Sequence, residues 1–174
     1  MKTINIKHWT SDKDIKFLFS ILKKEKEEVR FIGGCVRDLI IKKRDSDIDL
    51  ATTIVPIQVL KILKKSKIKT LVSGISHGTV IAFINKKKFE ITTLRKDIKT
   101  DGRHAIVKYT GDWVVDSQRR DFTINAISCD FKGGLYDYHN GIDDLKKGKI
   151  NFIGDTTKRI KEDYLRILRF FRFY

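Results

Sequence analysis

Gly33-Gly34-Cys35-Val36-Arg37-Asp38, followed closely by Asp47-Ile48-Asp49-Leu50-Ala51-Thr52, is the stretch whose reading decides the fold. Just before it, Val29 to Ile32 is a short apolar run that reads as a buried strand, and Gly33-Gly34 reads as a tight turn into a helix ending near Ile41. Ile48 to Ala51 reads as the next strand. Glycines let a backbone approach a ligand closely, and a helix start offers unpaired N–H groups to an anion. Arg37, one turn in, is placed to add a charge-assisted contact to phosphate. Asp47 and Asp49 are two residues apart on an extended segment, so their carboxylates leave the same face and repel unless a cation lies between them. A hard divalent ion such as Mg²⁺ suits oxygen ligands and shares them with substrate phosphates. Two such ions activate an attacking hydroxyl and stabilise a leaving pyrophosphate. Alone, an Asp-x-Asp is more often a solvated polar face, here beside the basic run Lys42-Lys43-Arg44. With the glycine turn and the arginine it makes a phosphate cradle beside a metal site.

Outward from this stretch, helices and strands alternate. Ser11 with Asp14 three residues later resembles a capping box with Asp in place of Glu, ahead of an amphipathic helix to about Lys24. Pro56 is well placed to start another helix. Val80 to Ile84 and Phe89 to Leu94 are β-rich runs around Asn85-Lys86-Lys87-Lys88, the pattern of a hairpin. Arg95 to Thr110 is charged, contains Gly102, and reads as a long loop. Arg120 to Ala126 reads as helix and Ile127 to Phe131 as strand; from Asp155 the spacing of Ile160, Tyr164, Leu165, Leu168 and Phe171 is helical. The class is α+β, a mixed sheet with helices leading into helix at the C-terminus.

A chain of 174 residues fits one domain with the beginning of a second. Its net charge of +15 favours a polyanionic partner, either nucleic acid or an anionic membrane surface, although a lysine-rich solvated surface has the same composition. Short basic runs, Lys42-Lys43-Arg44, Lys64-Lys65 and Lys86-Lys87-Lys88, sit between apolar segments and read as loop and edge charges. Cys35 and Cys129 are far apart, without zinc spacing, which points to reduced thiols in a cytoplasmic compartment. The first residues are too short and polar for a signal peptide, and no run approaches a membrane span, so no membrane partner is expected.

The Gly33–Asp38 and Asp47–Thr52 segments together resemble the signature of class II tRNA nucleotidyltransferases and bacterial poly(A) polymerases, within the polymerase-β nucleotidyltransferase superfamily. The resemblance assigns the catalytic metals to Asp47 and Asp49 and places Gly33, Gly34 and Arg37 at the triphosphate. Phe89-Glu90-Ile91-Thr92-Thr93-Leu94-Arg95 resembles the family's next strand; Glu90 faces away from the core and is either a third acid near the metals or a solvent-facing carboxylate. Asp38, beside an arginine at a helix start, reads as structural. Asp101-Gly102-Arg103-His104 is similar to the family's flexible-loop motif, linked to the switch from CTP to ATP. Arg119-Arg120-Asp121-Phe122-Thr123-Ile124-Asn125-Ala126 resembles the ribose-binding motif, with Arg120 on phosphate and Asp121 and Asn125 on ribose hydroxyls. Glu162-Asp163-Tyr164-Leu165-Arg166 matches the base-recognition motif: Asp163 and Arg166, three apart on a helix, accept from the amine and donate to the ring acceptor that cytosine and adenine share. Arg169 and Arg172 continue the spacing towards the nucleotide. His77 in Ser76-His77-Gly78-Thr79 matches a family turn and reads as structural; Trp9, Trp113 and Tyr164 read as packing.

The implied fold is a polymerase-β-like nucleotidyltransferase head over residues 1–140, with the start of a helical neck carrying the base-recognition helix over 141–174. The implied activity is template-independent addition of CMP and AMP, from CTP and ATP, to the 3′ end of tRNA with two Mg²⁺ ions. Two alternatives stay open: a poly(A) polymerase or A-adding partial enzyme, and a catalytically silent nucleotide- or tRNA-binding fragment. Family members are much longer, so tRNA anchoring is expected to need a separate helical domain or subunit.

Overall fold

The computed structural model describes residues 2–23, 27–43, 47–71, 78–101 and 104–173. Lys24, Arg44, Ser76, His77, Gly102 and Arg103 lie outside them, and with them the expected end of the first long helix, part of one basic run, most of the family turn and the centre of the loop motif.

The described residues place a seven-stranded mixed sheet at the centre of the fold, ordered β3-β4-β5-β2-β1-β8-β9. The strands are β1 (Val29–Ile32), β2 (Ile48–Thr52), β3 (Lys69–Leu71), β4 (Thr79–Ile84), β5 (Lys87–Thr93), β8 (Ser128–Cys129) and β9 (Leu135–Tyr136). β2 runs parallel to β5, whereas β1 is antiparallel to β2. Period-2 alternation then sorts the side chains. Phe31, Leu50, Phe89 and Ile91 enter the main core, where Leu18 and Leu22 of α2 (Lys13–Leu22) and Val59 and Leu63 of α4 (Pro56–Lys65) cover them. Asp49 and Glu90 leave the opposite face, where Ile32, Ala51 and Leu94 form a small second cluster with Trp113. Cys35 and Val36 of α3 (Gly34–Ile40) anchor that helix in the main core, fixing the glycine turn at the C-terminal end of β1.

Four local expectations are corrected. The cap of α2 is Asp12, which accepts from Asp14 N (2.9 Å) and Ile15 N (3.2 Å); Ser11 ends α1 (Lys7–Thr10), and the Asp14 carboxylate instead takes Asn85 Nδ2 at 2.8 Å. Arg95 to Thr110 is a hairpin of β6 (Arg95–Asp101) and β7 (His104–Tyr109) with a register shift between Asp97 and Lys99. Its Ile98 and Ile106 are exposed while charged Arg95 and Asp97 are half-buried, so the described residues lack the apolar-inward alternation that marks a strand, and the composition resembles a loop. Arg120 to Ala126 is not a helix: α5 (Trp113–Gln118), capped by Asp112, precedes it, and only Thr123–Asn125 makes a 3-10 turn. Phe122 is extended and fully buried among the rings of Phe152, Phe170 and Phe173, which a helix through it would pull apart. Finally, the C-terminal helix is two helices, α7 (Thr156–Glu162) and α8 (Leu165–Phe171), separated at Asp163, whose backbone is extended.

Candidate active site

Parallel pairing of β2 with β5 puts Asp49 directly opposite Glu90. Burial first, then the Glu90 and Asp47 charges, push the Asp49 carboxyl up to about 6, while Arg120 and Lys88 pull it back. The three acids therefore share one field. Asp47 is exposed at the mouth, and Lys88 Nζ sits 2.7 Å from Glu90 Oε1. Of the two sequence readings of Glu90, the register favours the acid beside Asp49.

Next to the acids lies the glycine turn. Gly33 has φ +72°, and a Cβ there would stand 3.7 Å from Asn125 O and 4.0 Å from Arg120 Nη1. A Cβ on Gly34 would stand 3.7 Å from Arg37 Nη2. Two guanidiniums thus converge on the turn. Arg37 is held by Asp38 Oδ1 (Nε 2.8 Å, Nη2 2.7 Å) and donates from Nη1 to Asn125 Oδ1 at 2.7 Å, so Asp38 is structural as expected. Asn125 Nδ2 donates to Asp121 Oδ1 at 3.4 Å, and Arg169 Nε lies 3.5 Å from Asp121 Oδ2. Arg169 also reaches Asp163 Oδ2 at 2.8 Å. Arg37, Asn125, Asp121, Arg169 and Asp163 form one polar chain leading from the glycine turn to the break between α7 and α8.

The structure departs from the expected base-reading pair. Asp163 and Arg166 do not share a helix: Asp163 Oδ1 caps α8 through Leu165 N (3.0 Å), whereas Arg166 is buried against Glu162 Oε2 (2.8 Å) and Arg159 O (2.6 Å). Arg166 Nε is buried with no acceptor among the described residues. Arg172 is exposed, and its guanidinium lies 5.6 Å from the Phe173 ring, the ring that Arg37 approaches at 4.8 Å. Asp101 and His104 are backbone register partners in the β6–β7 hairpin. Trp9 and Trp113 are buried packing residues, whereas Tyr164 is 69% exposed.

Sequence reading did not single out Asp116 or Arg159, and it quoted Glu162 in the base-recognition motif without giving it a role. Asp116 pairs with Arg119 and Arg120 at i,i+3 and i,i+4 spacing, which was the available signal. Arg159 donates from Nη2 to both Arg119 O and Arg120 O and from Nη1 to Glu162 at 2.7 Å.

Asp49 and Glu90 on one sheet face, with Asp47 just before β2, lie beside a glycine turn and two arginines, a set of carboxylate and guanidinium groups chemically suited to a cation and a polyphosphate. Residues 29–151 match the poly A polymerase head domain model. The chain belongs to the poly(A) polymerase head-domain family. Within the family it is 48% identical over 161 residues to the human mitochondrial CCA tRNA nucleotidyltransferase 1, covering 92% of this chain and 37% of that protein. It is 44% identical to the CCA-adding enzyme of Oceanobacillus iheyensis, covering 82% of this chain and 35% of that one. Among solved structures, it superposes with a TM-score of 0.80 and 34% identity on the Bacillus stearothermophilus CCA-adding enzyme in complex with CTP, covering 90% of this chain and 37% of that one. A tRNA nucleotidyltransferase complexed with a primer tRNA and an incoming ATP analog gives 0.72 at 28% identity, covering 90% and 44%. The fold is the α+β, polymerase-β-like head of this family, and the chain spans little more than a third of these relatives' length.

Proposed function

We propose that this chain is the catalytic head of a tRNA nucleotidyltransferase, which adds CMP and AMP from CTP and ATP to the 3′ end of tRNA without a template. The observation that carries the reading is the Asp49–Glu90 register beside the glycine turn, with Arg120 close enough to offset the Asp49 charge. Residues 1–140 are the proposed head and 141–174 the start of the neck.

The residues fit a divalent metal. Their donors are all carboxylate oxygens, and a cation would offset both the burial and the Glu90 and Asp47 charges that raise the Asp49 carboxyl. Among the described residues no three such side chains are already closed around an ion site, and the Lys88 ammonium sits on Glu90. Asp47 and Asp49, with Glu90 beside them, would hold Mg²⁺, two ions in our reading. Bound there, magnesium supplies activation of the terminal ribose hydroxyl and offsets charge on the leaving pyrophosphate. The chain's own groups do the rest. Arg120 and Arg37 hold the triphosphate over Gly33–Gly34, and Asp121 and Asn125 hydrogen-bond the ribose hydroxyls. Asp163 accepts from the exocyclic amine of cytosine or adenine and Arg166 donates to the neighbouring ring nitrogen, with Arg169 and Arg172 beside the nucleotide. The loop of Asp101, Gly102, Arg103 and His104 is proposed to act in the change from CTP to ATP.

The test is incubation with tRNA lacking CCA, one labelled nucleotide at a time. We expect CMP from CTP, then AMP from ATP. Asp47→Ala and Asp49→Ala are each expected to cut incorporation by at least about 100-fold while leaving the fold intact, since lost transition-state charge stabilisation costs several kcal/mol. Full activity in either variant sinks the metal assignment. AMP addition alone, or a long A tail, supports the A-adding or poly(A) reading instead. The chain's share of its relatives favours one further reading, a head that binds nucleotide but turns over only when a helical domain supplies the tRNA grip. Binding without incorporation until such helices are added supports it. Two free, buried cysteines fit a reducing compartment, and we propose the cytoplasm; fractionation separates that from the mitochondrial setting of the human relative.

A further inference from the structure

The Asp116 side chain, 3% exposed, lies where three elements of the site meet. Its Oδ1 accepts from Arg119 Nε at 2.9 Å and from the backbone N–H of Arg95, the first residue of β6, at 3.1 Å. Its Oδ2 accepts from Arg120 Nη2 at 2.9 Å and Nε at 3.2 Å. Arg120 is therefore gripped by two of its three nitrogens. The third, Nη1, has no partner among the described residues and is the one beside Gly33. From the other side, Arg159 holds the backbone carbonyls of Arg119 and Arg120. The arginine is fixed twice, with one donor left over, aimed at the glycine turn.

We propose that Asp116 is a positioning residue for the incoming triphosphate: it holds Arg120 with Nη1 turned to the Gly33–Gly34 cradle and seats the root of the β6–β7 hairpin against the same pocket. The proposal rests on the nucleotidyltransferase reading and adds to it a residue that touches no substrate. A competing physical role makes the opposite forecast. If Asp116 only balances the charge of buried arginines, its neutralisation strengthens the local positive field and phosphate binds more tightly. If it positions Arg120, neutralisation frees the guanidinium to rotate and phosphate binds less tightly.

The experiment measures binding of CTP and of ATP, each with Mg²⁺, to the full chain by calorimetry, in wild type, Asp116→Asn, Arg120→Ala and the double variant, with melting curves for each. For Asp116→Asn we expect Kd to rise about tenfold for CTP and ATP alike, the scale of one charge-assisted hydrogen bond. In the Arg120→Ala background the same change should cost nothing further, because Asp116 acts through that arginine. Unchanged or tighter binding, a loss confined to one base, or an equal loss without Arg120 would overturn the proposal. If Asp116→Asn does not fold, Arg120→Lys asks the question from the partner: lysine keeps the charge but cannot grip Asp116 and still present a second fixed donor. A loss of about tenfold for both nucleotides supports positioning, and unchanged affinity refutes it. Wild-type protein that binds neither nucleotide removes the functional reading and this inference together, whereas binding unaltered by the Asp116 variants removes only the inference.

Discussion

Asp49 ionises against the grain of its surroundings. Its carboxyl titrates near 6 in the folded chain and near 3.8 when unperturbed, so between those values the folded state binds more protons than the unfolded one. Stability therefore falls as pH rises from about 4 to about 6 and stays at the lower level above that, a loss of at most about 3 kcal/mol before solvent screening is allowed for. Asp49→Asn removes the titration. We expect the ligand-free variant to melt about 2–6 °C above wild type at pH 7 and to converge with it near pH 4, read by thermal denaturation across that range. Identical melting at pH 7 would mean that neither burial nor the charges of Glu90 and Asp47 raise the Asp49 carboxyl. Part of this was legible beforehand: Asp-x-Asp on a strand after a glycine turn gives the first two acids. Glu90 remained ambiguous, because strand alternation says which way it faces and only the β2–β5 register says what it faces. Asp116 escaped notice because its partners Arg119 and Arg120 had roles of their own in the motif, and its burial depends on α5, which sequence reading did not find.

Elements bring the residues of the candidate site together through contacts that leave little slack. α6 (Gly141–Lys146) starts against the 3-10 turn of Thr123–Asn125, where a Cβ on Gly141 would stand 2.2 Å from Thr123 O and 2.6 Å from Thr123 C. Both atoms are backbone, so one element must shift. Overpacking of this kind costs about 1–3 kcal/mol, and the turn that moves carries Asn125, the partner of Arg37. Gly141→Ala is expected to lower the melting temperature by about 3–10 °C and to weaken CTP binding; a variant that melts with wild type would show that α6 is free to yield. Elements with a local cause were legible in the sequence. The β4–β5 hairpin turns at Asn85 and Lys86, both with positive φ, between alternating runs, and Pro56 opens α4 as its ring geometry favours. Those shaped by distant partners were not. Phe122 is extended because Phe152, Phe170 and Phe173 bury it, and the helix stops at Asp163 so that its carboxylate caps α8 and meets Arg169. A 3.6-residue period cannot report either cause.

Over the whole molecule, the net charge of +15 surrounds a small acidic site with a basic exterior. Lys7, Lys42, Lys43, Lys64, Lys65 and Lys86 are exposed, and no ion pair is recorded for any of them among the described residues. Composition alone left nucleic acid and an anionic membrane equally served by such a surface. The acids lie beside arginines suited to a nucleotide, which is the ground for taking RNA as the polyanion in the proposed function. An RNA held largely by such lysines must displace counterions, so its affinity depends steeply on salt. Two phosphate contacts already imply a loss of about tenfold in tRNA affinity between 50 and 200 mM salt, and each further contact steepens it. We expect at least that loss in filter-binding titrations of the chain with tRNA lacking CCA, in Mg²⁺-containing buffer. Vesicles of anionic lipid added at matched charge should displace little of the RNA. A flat salt dependence would mean that the basic exterior is only a solvated coat and that the tRNA grip lies elsewhere, whereas effective displacement by lipid would move the surface to the membrane reading and leave the acidic site without its primer.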